Sequence, residues 1–111
     1  MNDCIFCKIA AGTIPSDRVY EDEQVVVFKD IYPKAPVHLL MVPRQHVESL
    51  NELTPEHDGL VAHMLRAVPE VAGRAGLTGG YRTIINTGRD GGQEVLHLHL
   101  HILGGGRLPG F

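Results

Sequence analysis

The chain reads as an α+β domain with a mostly antiparallel five-stranded sheet, one long helix and one short helix. Three observations predict it. Short apolar, β-branched runs fall both before and after a single long stretch of helical period. Residues 95–103 alternate strictly, with histidine at every second position. The 111 residues lie near the modal size of one domain, so a single domain over 1–111 is expected.

Taken in order, Asp3 is placed to cap a short helix running to about Ala11, with Ile5, Phe6 and Ile9 as its apolar stripe. Gly12 to Ser16, with Pro15 among them, stops it. Residues 18–21 and 24–29 read as two strands of a hairpin that turns at Asp22 and Glu23. Residues 37–42 form an apolar strand closed by Pro43. Thr54 is the expected N-cap of the long helix, with Pro55 at its first position. Leu60, Val61, Met64, Leu65, Val68, Val71 and Ala72 keep the helical period; Pro69 inside it should kink the helix, and Gly76 should cap it. Residues 81–87 make a fourth strand, and Gly88 to Gly92 a turn or phosphate-facing loop. The histidine strand is last, broken by Gly104, Gly105 and Gly106.

Strand alternation puts His97, His99 and His101 on one face and Leu96, Leu98, Leu100 and Ile102 on the other. Neighbouring imidazoles are then about 6–7 Å apart along the strand. Imidazole serves as base, nucleophile or metal ligand near neutral pH. The plain alternative is three polar residues on a wetted sheet face, against which stands the cost of idle imidazoles in apolar runs. A neutral middle histidine, with one ring nitrogen held by an acceptor, can attack phosphorus and form a covalent phospho-imidazole. Its neighbour two residues on can stabilise charge on a phosphate oxygen. Gly91 and Gly92 offer backbone N–H groups that an anion can approach closely, although such pairs are often only turns.

Cys4 and Cys7 are the only cysteines and have the spacing of a metal-binding pair. The same spacing fits a redox pair, half of a metal site, or chance. Asp30, at a strand end, can accept from ribose hydroxyls or simply form a turn. His57, His63, Arg44, Arg82 and Arg89 read as surface or helix-packing groups. A net charge of −3 argues against a general nucleic-acid binder. No apolar run reaches membrane-span length. The first residues lack the pattern of a signal peptide, and cysteine usage suits the reducing cytosol.

These residues together resemble the histidine triad (HIT) superfamily, within it the Hint branch of nucleoside phosphoramidases. The likeness runs through Cys4-Ile-Phe-Cys-Lys-Ile9, Tyr20-Glu-Asp22, Asp30-Ile31, Ala35-Pro36, His38, Val42-Pro43, His46, Gly80-Tyr-Arg82, Asn86, Gly91-Gly-Gln93 and His97 to Leu103. The resemblance implies that His99 attacks the α-phosphorus of a purine nucleoside phosphoramidate or acyl-adenylate. His101 would contact the phosphate and assist the leaving amine, and His38 and His97 would complete the catalytic cluster. Asn86, Gly92 and Gln93 would position the phosphate side, and Asp30 the ribose. Ile5, Phe6, Ile9, Phe28, Ile31 and Leu40 would line the purine pocket. Cys4, Cys7, His46 and His97 would hold a structural zinc, with no cofactor needed for the chemistry. Two subunits would pair through the long helix and the strand near residues 80–87, forming one extended sheet. Other superfamily activities are dinucleoside polyphosphate hydrolysis and nucleotidyl transfer; a non-catalytic nucleotide-binding or partner-docking module is the remaining alternative. Glu94 stands where well-known Hint proteins carry serine. The chain also ends soon after the triad, where the relatives' C-terminal segment shapes leaving-group choice.

Overall fold

The structure, a computed structural model, describes residues 3–110. The reading of the first residues as lacking a leader rests partly on Met1 and Asn2, outside the described residues. Five strands form one antiparallel sheet: β1 (Arg18–Glu21), β2 (Val25–Lys29), β3 (Val37–Pro43), β4 (Tyr81–Ile84) and β5 (Leu100–Gly104). Their spatial order is β1-β2-β3-β5-β4, with every neighbouring pair antiparallel. Helix α1 (Ile5–Ala10) covers one face and α2 (Asp58–Arg74) the other. The expected α+β architecture is the one observed.

Alternation along the central strands divides two cores. Val25, Val27, Leu39, Met41, Leu100 and Ile102 face α2, meeting Leu60, Met64, Val68 and Val71. Val26, Phe28, Leu40 and Val42 face the other way, against Phe6, Ile9 and Ala10. Burial on both faces explains why β2 and β3 read as continuous apolar runs. Each of the fully buried Met41 and Ile102 side chains stabilises the fold by about 1.5–3 kcal/mol. His38 and His101 share the α1 side with Leu40, because β3 pairs Leu40 with His101 and His38 with Leu103.

Several boundaries differ from the sequence expectation. Cys4 rather than Asp3 is the N-cap of α1, its sulfur accepting from the Cys7 N–H. Thr54 and Pro55 open a 3₁₀ turn, Pro55–His57, whose capping box uses the His57 ring as acceptor for the Thr54 N–H; α2 follows it. Pro69 sits inside an α2 that stays one continuous helix. Gly76 caps it as expected, at φ +78°, with Gly76 N–H donating to Gly73 O and Leu77 N–H to Ala72 O. Strand β4 ends at Ile84, and ladder pairing of the histidine segment starts only at Leu100. Leu96, which strict alternation puts on the same face as the buried Leu98, Leu100 and Ile102, is exposed. Arg44 is a brace rather than a solvated charge. Its guanidinium donates to the carbonyls of Ala10 and Asp22 and to Glu21, tying α1 to the hairpin. His63 pairs with Asp22 at 2.7 Å, fastening α2 to the same turn. Among the described residues no helix is long and apolar enough to cross a membrane.

Candidate functional site

Three histidine rings form a connected group whose tautomers follow from their partners. The Lys34 backbone N–H lies 3.0 Å from His38 Nδ1. An N–H can only donate, so His38 Nδ1 accepts and the proton of the neutral ring sits on Nε2. Burial disfavours protonation of His38, pushing its pKa down. His38 Nε2 lies 2.9 Å from His101 Nδ1, so it donates there, and His101 carries its proton on Nε2. Burial, and then the neighbouring His99 and His38 rings, push His101 down to about 4. His101 is therefore a neutral Nε2–H donor. Asp30 Oδ2 stands 3.4 Å from His38 Nε2, while Oδ1 accepts from the Tyr32 N–H at 2.8 Å. Asp30, His38 and His101 have the composition of a metal triad. The Lys34 contact argues against that use, because it keeps a hydrogen on the nitrogen a metal would need.

His99 has the complementary tautomer. Its Nδ1 lies 2.7 Å from the His97 carbonyl oxygen, which can only accept. The ring thus donates from Nδ1, and in its neutral form the lone pair is on Nε2. Phe6 fixes the ring edge-on, centroid to centroid 5.0 Å, and His101 lies 5.1 Å away. A neutral imidazole held by a backbone carbonyl is an oriented nucleophile.

Two clefts meet at this pair. One, of about 520 Å³, is walled by Ile5, Phe6, Ile9, Phe28, Leu40 and Val95, with Asp30 and Ile31 at its lining. The other, of about 290 Å³, is lined by Lys34, His38, Asn86, Gly92, Glu94 and the same two histidines. An apolar slot opening onto a polar one suits a ligand with a flat ring and an anionic end. A further cleft of about 450 Å³ on the α2 side shares Lys29, Asp30 and His38 but contains neither His99 nor His101.

The loop before the histidine segment is self-braced. Gln93 donates through Nε2 to the carbonyls of Glu48 and Val95 and accepts from the Gly88 N–H through Oε1. Asn86 Nδ2 donates to Gly91 O at 2.8 Å. The Gly92 N–H is committed to Arg89 O, so it is not the free anion donor that the Gly-Gly pair suggested. Gly91 is required by close approach: a Cβ there would sit 2.3 Å from Thr87 O.

His97 is fully buried and turns away from this pair. Its Nε2 donates to Pro43 O at 2.8 Å, leaving Nδ1 as lone pair. That Nδ1 lies 3.2 Å from Cys4 Sγ, 3.5 Å from Cys7 Sγ and 3.2 Å from His46 Nδ1, and Cys7 Sγ is 3.3 Å from His46 Nδ1. A tetrahedral zinc with ordinary bond lengths requires sulfur–nitrogen edges of about 3.6 Å and a nitrogen–nitrogen edge of about 3.3 Å. These four edges lie within a few tenths of an ångström of those values, all four donors are within 4.8 Å of one another, and the Pro43 carbonyl supplies the outer partner that zinc-bound histidines usually have. Burial raises the Cys4 thiol pKa, a cost that a bound cation offsets.

A family model described as scavenger mRNA decapping enzyme C-terminal binding matches residues 3–107. Protein HitA of Neisseria gonorrhoeae is 57% identical over 104 residues, covering 94% of this chain and 97% of its own length. The chain belongs to the histidine triad family. The purine nucleoside phosphoramidase of Escherichia coli K12 is 43% identical over 104 residues, 93% of this chain and 87% of its own. A histidine triad protein from Clostridium difficile superposes with TM-score 0.96 at 47% identity, covering 100% of this chain and 97% of that one. A HIT family hydrolase from Legionella pneumophila gives 0.93 at 42%, covering 96% of each.

Of the residues that the sequence singled out in this histidine triad chain, the fold gathers His38, His99, His101, Asp30, Asn86 and Gly92 around the two clefts. It gathers Cys4, Cys7, His46 and His97 at a separate point. Ile31 lies at the mouth of the apolar cleft and is 82% exposed. The Gln93 side chain is spent on its loop. Lys34 was not foreseen: its contribution is a backbone N–H, which no side-chain pattern signals.

Proposed function

We propose that this protein hydrolyses the P–N bond of purine nucleoside phosphoramidates, and also acyl-adenylates, through a nucleotidyl intermediate on His99. The observation that carries the reading is the pair of opposite tautomers: a lone pair on His99 Nε2 beside a proton on His101 Nε2. The nucleobase lies in the cleft of Phe6, Ile9, Phe28 and Leu40, with Ile5 and Ile31 at its edge, and the sugar hydroxyls reach Asp30. The phosphate lies between His99 and His101, beside Asn86 and Gly92, on the loop that Gln93 braces.

His99 Nε2 attacks the α-phosphorus, and the P–N bond breaks as the Nε2–P bond forms. The His101 Nε2–H hydrogen-bonds the departing nitrogen, which leaves as an amine carrying a proton taken from solvent. The His97 carbonyl, accepting from His99 Nδ1, stabilises the positive charge on the substituted ring. Water then attacks phosphorus, releasing one proton, and His99 Nε2 recovers its lone pair. A nucleoside monophosphate is the product.

Zinc held by Cys4, Cys7, His46 and His97 would have all four positions filled by protein and would take no direct part in the chemistry. The backbone carbonyl of His97 orients His99, so that site also fixes the nucleophile. Pairing of two copies along the exposed β4 edge would cover an otherwise open strand, and cysteines at 4 and 7 that are not joined in a disulfide suit a reducing cytosol.

The test is turnover of adenosine and guanosine phosphoramidates with acid-quench trapping of nucleotidylated histidine. His99→Ala and His99→Asn should abolish turnover by at least about 10³-fold while retaining nucleoside monophosphate binding. Full activity in either variant refutes the mechanism. Preference for a dinucleoside polyphosphate in direct competition, or transfer to an acceptor other than water, would move the protein to another branch of the family.

A further inference from the structure

Glu94 is unexplained by anything above. It lies one residue before Val95, which packs against the Phe6 cluster, and one after Gln93, whose three hydrogen bonds fix the backbone there. Its exposed side chain lines the apolar cleft and the polar cleft, both together with His99 and His101. It also lines a third, shallow cleft at the rim with Asp3, His46 and Glu48. It is the residue shared by all three. Among the described residues no cation pairs with it: the ion pairs use Glu21, Glu70, Asp17, Asp22, Asp30 and Asp90. The other charges lining these clefts are Asp17, Lys29 and Asp30 in the first, Lys34 in the second, and Asp3 and Glu48 in the third.

A carboxylate beside a bound phosphate is repulsive, and among the described residues no cation forms an ion pair with it. The repulsion turns to attraction if the substrate brings the missing positive charge. The base occupies the apolar cleft and the sugar is near Asp30, so that charge must be on the amine side of the scissile bond.

Resting on the phosphoramidase reading, we propose that Glu94 is a specificity-determining residue that selects phosphoramidates whose leaving amine carries a second, cationic group. A phosphoramidate of a diamine has that chemistry; an amine ending in a carboxylate is disfavoured twice, by Glu94 and by the rim acids.

Three adenosine phosphoramidates with leaving amines of equal length, ending in ammonium, methyl or carboxylate, test this against the wild type, Glu94→Gln and Glu94→Lys. Unit charges a few ångströms apart in a solvent-exposed cleft predict a factor of about three to ten in kcat/KM. The wild type should favour ammonium over methyl and methyl over carboxylate, with the spread shrinking as salt is raised. Glu94→Gln should collapse the ammonium-to-carboxylate ratio by about that factor squared, while relief of the phosphate repulsion raises the methyl substrate's kcat/KM and adenosine monophosphate affinity; Glu94→Lys should invert the order. An unchanged ratio in Glu94→Gln overturns the proposal. So does an equal fall on all three substrates, which would make Glu94 a group acting on every leaving amine. If the wild type turns over none of the three, the phosphoramidase reading itself fails, a result distinct from either.

Discussion

Replacing His38 by leucine removes both ends of the link that fixes His101. The Lys34 N–H loses its acceptor at 3.0 Å and His101 Nδ1 its donor at 2.9 Å. Lys34 is exposed, so water replaces that partner cheaply. His101 is only partly exposed, and its orphaned nitrogen costs about 1–3 kcal/mol. Leucine recovers part of this through apolar burial, leaving a net loss of about 1–2 kcal/mol, or roughly 4–16 °C in Tm for a domain of this size. Catalysis should suffer more than stability, because His101 is then free to carry its proton on Nδ1 and present a lone pair to the leaving group. Outer partners that orient a functional histidine are worth about 10–100-fold. The assay pairs urea denaturation and phosphoramidate turnover with long-range ¹H–¹⁵N correlation of the histidine rings. Wild type should show His101 protonated at Nε2 alone, and His38→Leu a mixture. His38→Gln, which offers both a donor and an acceptor, should recover part of the rate. A wild-type rate in His38→Leu, or His101 protonated at Nδ1 in the native protein, refutes the reasoning.

Two further outcomes follow from the same geometry. Elemental analysis of protein purified without chelator should give about one zinc per chain, and Cys4→Ser or prolonged chelation should remove it. Both should lower Tm and also slow turnover, because the His97 carbonyl that orients His99 belongs to a metal ligand; metal-free wild type of full stability would exclude a structural ion. Acid should destabilise the fold through His101. Its folded pKa of about 4 lies below the unfolded value of about 6.5, so between these pH values the unfolded chain binds the extra proton and stability rises with pH. That contribution is complete above about pH 6.5 and is lost as pH falls toward 4. The urea midpoint should drop across that window, and His101→Asn should flatten the drop; an unaltered slope would show that His101 is protonated in the fold.

The sheet, both helices and the helix cap at Gly76 were legible in the sequence, because each rests on a local period or on one residue's backbone freedom. The α2 face of the histidine segment was legible for the same reason: Leu98, Leu100 and Ile102 alternate into the core as their spacing says. What alternation could not supply is where the ladder begins. Pairing starts at Leu100, so His97 and His99 precede the ladder in a segment that bends at residues 95–97, with the His97 N–H donating to Val95 O, and that is otherwise held by residues distant in sequence. The Leu98 N–H donates to Val47 O, and the His97 ring reaches Pro43 O.

Residue types suited to a phosphorus-directed nucleophile and to a four-donor metal site are written in the chain, since histidine and cysteine bring nitrogen and sulfur lone pairs fit for both. Which surroundings each histidine meets was decided by tertiary contacts. His97 faces two sulfur atoms 90 or more positions away, and His99 faces a cleft. The proton positions are likewise a property of the fold. They are dictated by a carbonyl and an amide hydrogen of the main chain, groups that every residue carries, so that only their placement in space makes them informative.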